Sequence, residues 1–114
     1  MASYVSIKKN TEFRRIYAKA RSVADSNLVL YTLANNTDIS RFGISISSKV
    51  GNAVVRNKIK RQIKEILRTN CNNILKGYDI IFIVRVKCKE APFCAIKNSV
   101  VHLLKKAKLL GINS

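Results

Sequence analysis

Residues 51–68 constrain this chain more than any other stretch. At about 100° per residue, Val55, Ile59, Ile63, Ile66 and Leu67 fall within one arc at spacings of three and four. The pattern predicts an amphipathic helix whose apolar stripe needs a core to cover it. On the opposite side Asn57, Arg61, Lys64 and Arg68 recur at i, i+4, i+7 and i+11, with Lys60 alongside them, while Arg56 and Lys58 flank the first turn.

That polar face carries almost one sign of charge. Exposed helices usually mix signs and gain roughly a few tenths of a kcal/mol per opposite pair at i, i+4; here Glu65 is the only acid. Cations in a first turn also oppose the helix dipole, which favours anions at that end. The conflict disappears if an anion belongs there, because free N–H groups at a helix start and nearby side-chain cations both bind phosphate. The same bias runs through the whole chain: 22 Lys and Arg stand against 6 Asp and Glu in 114 residues, a formal charge of +16. A charge that large repels itself in the folded state and calls for a polyanionic partner. The length suits one domain, residues 1–114, with a single core.

Membrane surfaces are polyanions too, but no apolar run approaches the roughly 20 residues that span a bilayer. Residues 1–9 also lack the apolar centre of a signal peptide, so the expected compartment is the cytoplasm. Basic residues spread along the chain suit a folded nucleic acid better than a bilayer. Cys71, Cys88 and Cys94 are odd in number with no Cys-x-x-Cys pair, which argues against a disulfide framework or zinc site. His102 stands alone on the polar side of a helix, and the acids are scattered singly. Neither a catalytic constellation nor a protein-held metal is expected.

Asn10 or Thr11 can cap a first helix to about Arg21, with Phe13, Ile16, Tyr17 and Ala20 as its apolar stripe. Residues 28–34 read as a strand followed by a turn at residues 35–38. Residues 41–47 form a second strand, with Phe42, Ile44 and Ile46 on one face and Arg41, Gly43, Ser45 and Ser47 on the other. That second face is too small and polar for a core, so it meets water or leaves room for a ligand. Asn52 caps the basic helix, and Gly77 ends a helical stretch before a turn. Residues 79–86 are apolar on both alternations, as in a strand covered on both faces. A last helix starts with Pro92 in its first turn and runs to about Leu110, stopped at Gly111. The order implies an α+β, two-layer sandwich of one sheet with helices packed on it.

Gly43-Ile44-Ser45-Ile46-Ser47, followed by Gly51-Asn52-Ala53-Val54-Val55-Arg56-Asn57-Lys58-Ile59-Lys60-Arg61, resembles the signature of the bacterial ribonuclease P protein component and its basic RNR helix. Lys8-Lys9-Asn10-Thr11-Glu12-Phe13 and Leu28-Val29-Leu30-Tyr31 resemble the same family in order and spacing, so the likeness covers nearly the whole chain. It implies a ribosomal protein S5 domain 2-like fold with a left-handed βαβ crossover, against the usual right-handed expectation. The implied activity is endonucleolytic removal of the 5′ leader from precursor tRNA, with the catalysis and the Mg2+ ions held mainly by an RNA subunit and no catalytic residue on the protein. The implied partners are that RNA subunit and precursor tRNA, with no membrane and no protein partner. By position, Arg56, Asn57, Lys58, Lys60, Arg61, Lys64 and, along the same ridge, Arg68 would meet the RNA subunit. Phe13, Tyr17 and Tyr31 would line a leader-binding cleft, with Ser45 and Ser47 on its floor and Lys49 at its flank. Three positions depart from the family pattern: Lys58 stands where Arg is common, which removes a planar fork, Ala20 where Gly is common, and Ser48 where a basic residue is frequent. A structural RNA-binding module would share the charge and the aromatics but not the long signature, and an autonomous nuclease would need clustered acids or histidines.

Overall fold

The computed structural model describes residues 5–110, the side chain of Cys71 excepted. Residues 1–4, and with them the start of the segment read for a signal peptide, lie outside the described residues, as does the helix stop at Gly111. The element order is β1 (Val5–Ser6), α1 (Asn10–Lys19), β2 (Arg21–Ala24), β3 (Leu28–Ala34), β4 (Arg41–Ile46), α2 (Ala53–Asn70), a 3-10 turn (Cys71–Asn73), β5 (Tyr78–Val84), a second 3-10 turn (Val86–Glu90) and α3 (Phe93–Lys106). The five strands form one mixed sheet in the order β1-β4-β5-β3-β2. β5 lies at its centre, parallel to β4 and antiparallel to β3.

Alternation along β5 divides the core. Ile80, Phe82 and Val84 join Ile59, Ile63, Ile66 and Leu67 of α2 and Ile96, Val100, Leu103 and Leu104 of α3 on one face. Ile81 and Ile83 face the other way, towards Ile16, Phe13 and Tyr17 of α1. Helices therefore cover both faces, and the two-layer expectation is corrected to α1, sheet, and α2 with α3. The cause lies in β3 and β5, which are apolar on both alternations and so need two covers.

The ends of elements differ from the sequence expectations for local reasons. Lys9, in extended conformation and without a side-chain hydrogen bond, holds the N-cap of α1 in place of Asn10 or Thr11. The helix stops at Lys19, Ala20 is extended, and Arg21 opens β2, an unforeseen strand with only Val23 half-buried. Asn52 does cap α2, its Oδ1 accepting the Val55 N–H at 3.0 Å. Gly77 ends no helix: at φ +90° it bends the chain into β5, where a Cβ would sit 2.7 Å from the Thr37 carbonyl oxygen. β5 ends at Val84 because the Arg85 N–H turns to the Asn27 carbonyl, and Val86 is left exposed. Pro92 is the N-cap of α3 rather than part of its first turn. α3 ends four residues before Leu110, with Lys108 in the left-handed region at φ 60°. Its N–H bonds the Lys105 carbonyl while the Leu109 N–H bonds that of Leu104, a Schellman closure built on lysine rather than glycine.

A charge cluster ties α1 to the sheet. Arg41 and Asp79 are register partners on β4 and β5, and both point to the α1 face. Nε and Nη2 of Arg41 each donate to the Asp79 carboxylate at 2.8 Å, and its Nη1 donates to Glu12 of α1 at 2.5 Å. Asn35 adds a third hydrogen bond to Asp79 at 3.0 Å. Burial pushes the Asp79 carboxyl up, but the hydrogen bonds from Arg41 and Asn35 and the charges of Arg41 and Arg15 outweigh it and hold it below the ordinary value. Because the folded-state pKa is depressed, this contribution is complete above an ordinary carboxylate pKa of roughly 3.9 and is lost as pH falls through the lower folded value. Asp79→Asn should cost about 1.5–3 kcal/mol by urea unfolding at neutral pH, from the charge-assisted hydrogen bonds lost to Arg41, whose remaining carboxylate partner is Glu12. The loss of stability below about pH 4 should flatten in the same variant.

Candidate nucleic-acid interface

β1 pairs with β4 only at Arg41 and Phe42. Beyond Phe42, no strand among the described residues covers that side of β4. A cleft of about 620 Å3 opens around this short edge. One wall is Phe13, Arg14 and Tyr17 of α1; the floor is residues 42–45; the other wall is Lys60 and Lys64 of α2, and Ser6, Lys8 and Asn10 stand at the mouth. α1 and α2 belong to opposite faces of the sheet, so only the bare edge of β4 lets them share one cavity.

The aromatic wall is held from behind. Phe13 and Tyr17, one helical turn apart, pack at a ring separation of 6.1 Å, and Tyr17 meets Tyr31 of β3 edge to face at 5.0 Å. Tyr31 thus supports the wall without lining the cleft. Burial raises the Tyr17 phenol above its ordinary pKa, a hydrogen bond with Ser45 counters it, and Tyr31 adds to the rise. The phenol stays protonated at neutral pH. The ring of Phe13 lies on Gly43, where a Cβ would approach it to 2.8 Å; the glycine is there so that an aromatic ring can rest on backbone.

The remaining sequence-derived positions divide by geometry. Lys60 and Lys64, read as part of the ridge, reach the cleft from α2. Asn57, Lys58 and Arg61 are exposed on the same helix, and Arg56 is half-buried with its Nε donating to the Gly51 carbonyl at 3.2 Å. Arg68 is engaged with Glu65 at 2.6 Å, one turn away. Ser45 lines the cleft floor, whereas Ser47 and Lys49 are exposed just past the end of β4, outside the cavity. The sequence did not bring Ile7, Lys8 and Asn10 into the site, because they sit in the link from β1 to α1 and at the start of α1, where no periodicity assigns a side chain to a face. The acids offer little to a metal: Glu12 and Asp79 face Arg41, Glu65 faces Arg68, and Asp25 accepts the Asn27 and Leu28 N–H groups. Among the described residues no three His, Cys, Asp or Glu side chains converge as ligands, and no helix is long and apolar enough to cross a membrane.

A family model described as Ribonuclease P matches residues 1–108. The chain is 50% identical over 105 residues to the ribonuclease P protein component of Clostridium novyi (strain NT), spanning 90% of this chain and 93% of that one. Its counterpart from Alkaliphilus metalliredigens (strain QYMF) is 43% identical over 111 residues, 97% of this chain and 100% of its own. Among solved structures, the Staphylococcus aureus RNase P protein superposes with a TM-score of 0.89 at 46% identity, covering 96% of this chain and 100% of that one. The Thermotoga maritima RNase P protein gives 0.82 at 32%, covering 89% and 96%.

Gly43→Ala tests the packing of the cleft. The added methyl has to displace the Phe13 ring, at a cost of about 1–3 kcal/mol in unfolding free energy. Large NMR shifts of the Phe13 and Tyr17 ring protons are expected, with those of α3 unmoved.

Proposed function

Because the chain belongs to the bacterial ribonuclease P protein family, we propose that its two cationic surfaces divide the work of that ribonucleoprotein between substrate and RNA subunit. The protein is a subunit of ribonuclease P, the endoribonuclease that processes tRNA at its 5′ end, and it works with the ribonuclease P RNA. In the proposed division the cleft takes the single-stranded 5′ leader of precursor tRNA. Single strands are held where aromatic rings stand beside a basic groove, and Phe13 and Tyr17 facing Lys60 and Lys64 across one cavity is the observation that carries this reading. Tyr31 braces the ring wall, Ser45 and Gly43 let the strand approach the sheet, and Arg14 and Lys8 reach phosphates at the rim. Ser47 and Lys49 extend the groove past β4.

Structured RNA is gripped mainly through phosphate and shape, which suits the outer side of α2. There Arg56, Asn57, Lys58 and Arg61, with the free N–H groups of the first turn, form the proposed contact with the RNA subunit, and Arg68 joins by exchanging Glu65 for phosphate. Lys60 and Lys64 stand between the two surfaces, close to both. The acids present do not fit a protein-held magnesium ion, since most are tied to arginine or backbone, so no step through the metal is assigned to this chain. Mg2+ belongs with the RNA in this reading, and no protein side chain is nucleophile or base. Holding the leader raises affinity for precursor over mature tRNA, and the cations screen charge at modest magnesium. α2 links the parallel neighbours β4 and β5 in a crossover; that the crossover is left-handed and the fold S5 domain 2-like is part of the same proposal. So is residence in the cytoplasm with the tRNA precursors.

Precursor tRNA incubated at low magnesium with the protein, with a bacterial ribonuclease P RNA, and with both should lose its leader efficiently only in the mixture. Cleavage by protein alone would overturn the assignment of roles. Within the mixture, Lys58→Ala with Arg61→Ala should weaken RNA-subunit binding and reduce the slope of log K against log salt by about 1–2. Phe13→Ala should instead lower the preference for leader-bearing over leaderless tRNA by roughly tenfold, as expected for about 1–3 kcal/mol of stacking, with assembly intact. Loss of both properties in either variant would count against the division.

A further inference from the structure

A second cavity, of about 500 Å3, lies on the other flank of α1, and its charged lining residues are Arg15, Lys19 and Arg41. All three are cations, but they are differently engaged. Arg41 commits both sides of its guanidinium to protein carboxylates, Nε and Nη2 to Asp79 and Nη1 to Glu12. What it leaves to the cavity is a flat face held rigidly in place, and a guanidinium plane is a surface on which nucleobases stack. Arg15 reaches Asp79 only at 3.5 Å and keeps half of its side chain exposed, because Arg41 and Asn35 already hold that carboxylate. Lys19 has no ion pair among the described residues. Four residues apart on α1, Arg15 and Lys19 are surface neighbours and form a ready phosphate fork. Val5 and Ile39, 46% and 52% exposed, leave uncovered apolar surface at the same cavity.

We propose that this cavity is a nucleotide-binding subsite that takes a phosphate between Arg15 and Lys19 and the attached base against the face of Arg41, with Val5 and Ile39 at its rim. The ligand class is a 5′-phosphorylated nucleotide. It arrives either within an RNA strand that crosses α1 from the cleft, a source that rests on the leader reading above, or as a free mononucleotide.

NMR titration of the 15N-labelled full chain separates chemistry from source. Adenosine 5′-monophosphate should shift the amides of residues 33–39 saturably, with adenosine and inorganic phosphate each binding roughly tenfold or more weakly. Lys19→Glu, an exposed change that disturbs no ion pair, should weaken the nucleotide by roughly tenfold or more. Phosphate binding as well as the nucleotide, no saturable shift at residues 33–39, or indifference to Lys19→Glu would each overturn the proposal. Given nucleotide binding, single-stranded RNAs of roughly four and ten nucleotides identify the source. Weakening of only the longer RNA by Lys19→Glu supports the strand, and weakening of neither supports the free nucleotide. If neither RNA moves the amides of Phe13 and Ser45, the leader reading fails, while the mononucleotide titration still decides this one.

Discussion

The pair formed by Arg41 and Asp79 is the interaction on which the rest of the architecture depends. A carboxylate with no solvent exposure is tolerable only if its charge is met and its lone pairs are used. The two in-plane bonds from Arg41 and the amide of Asn35 do both. The demand also selects a register. Shifting β4 by one residue against β5 would carry Arg41 to the opposite face, leaving the buried Asp79 with the Asn35 amide and only the distant Arg15, at 3.5 Å, as counter-charge. Since Arg41 also holds Glu12, the strand pairing and the seat of α1 are decided together. Both cavities take their walls from α1, so their shapes follow from that seat.

Charge is distributed by what each cation can find. Among the described residues, cations that meet acids on protein are few: Arg41 and Arg15 at Asp79, Arg41 at Glu12 and Arg68 at Glu65. The rest of a +16 chain repels itself, and the aliphatic backing of α2 and α3 offsets that cost. Such a surface is weak as a stability device and strong as a binding one, because every phosphate it neutralises releases counterions. The bare edge of β4 adds geometry to charge. Unpaired strand edges invite other strands, and here the edge is lined by Lys60, Lys64 and Lys8, which discourages a polypeptide and favours a polyanion.

Membership of the ribonuclease P protein family gives these features a common purpose. Phosphate grip needs only cations in register, and one helix supplies them. In the proposed division of labour, discrimination of an unpaired strand needs flat rings and a close floor on one side with charge on the other. No single element offers both, and the cleft draws on α1, β4 and α2.

Much of this was legible in the residues. The apolar stripe of α2 and its Asn52 cap, the β3 strand and the doubly apolar β5 follow from periodicity, which depends only on neighbours in the chain. The edge strands β1 and β2 were not legible, because they are short, exposed and held by ladder hydrogen bonds to β4 and β3 rather than by an apolar pattern of their own. The end of α3 is not legible either, because Lys108 adopts a conformation that composition assigns to glycine. By itself the sequence determined an α+β chain with a cationic helix suited to phosphate, since side-chain spacing along a helix is a local property. Only the tertiary structure decided that α1 lies on the opposite face from α2 and α3. It also decided that Arg41 meets Asp79 across 38 residues, and that Lys60 and Lys64 face Phe13 around a sheet edge. Those are consequences of which faces must be covered and which buried charges must be paired, conditions that exist only once the strands lie side by side.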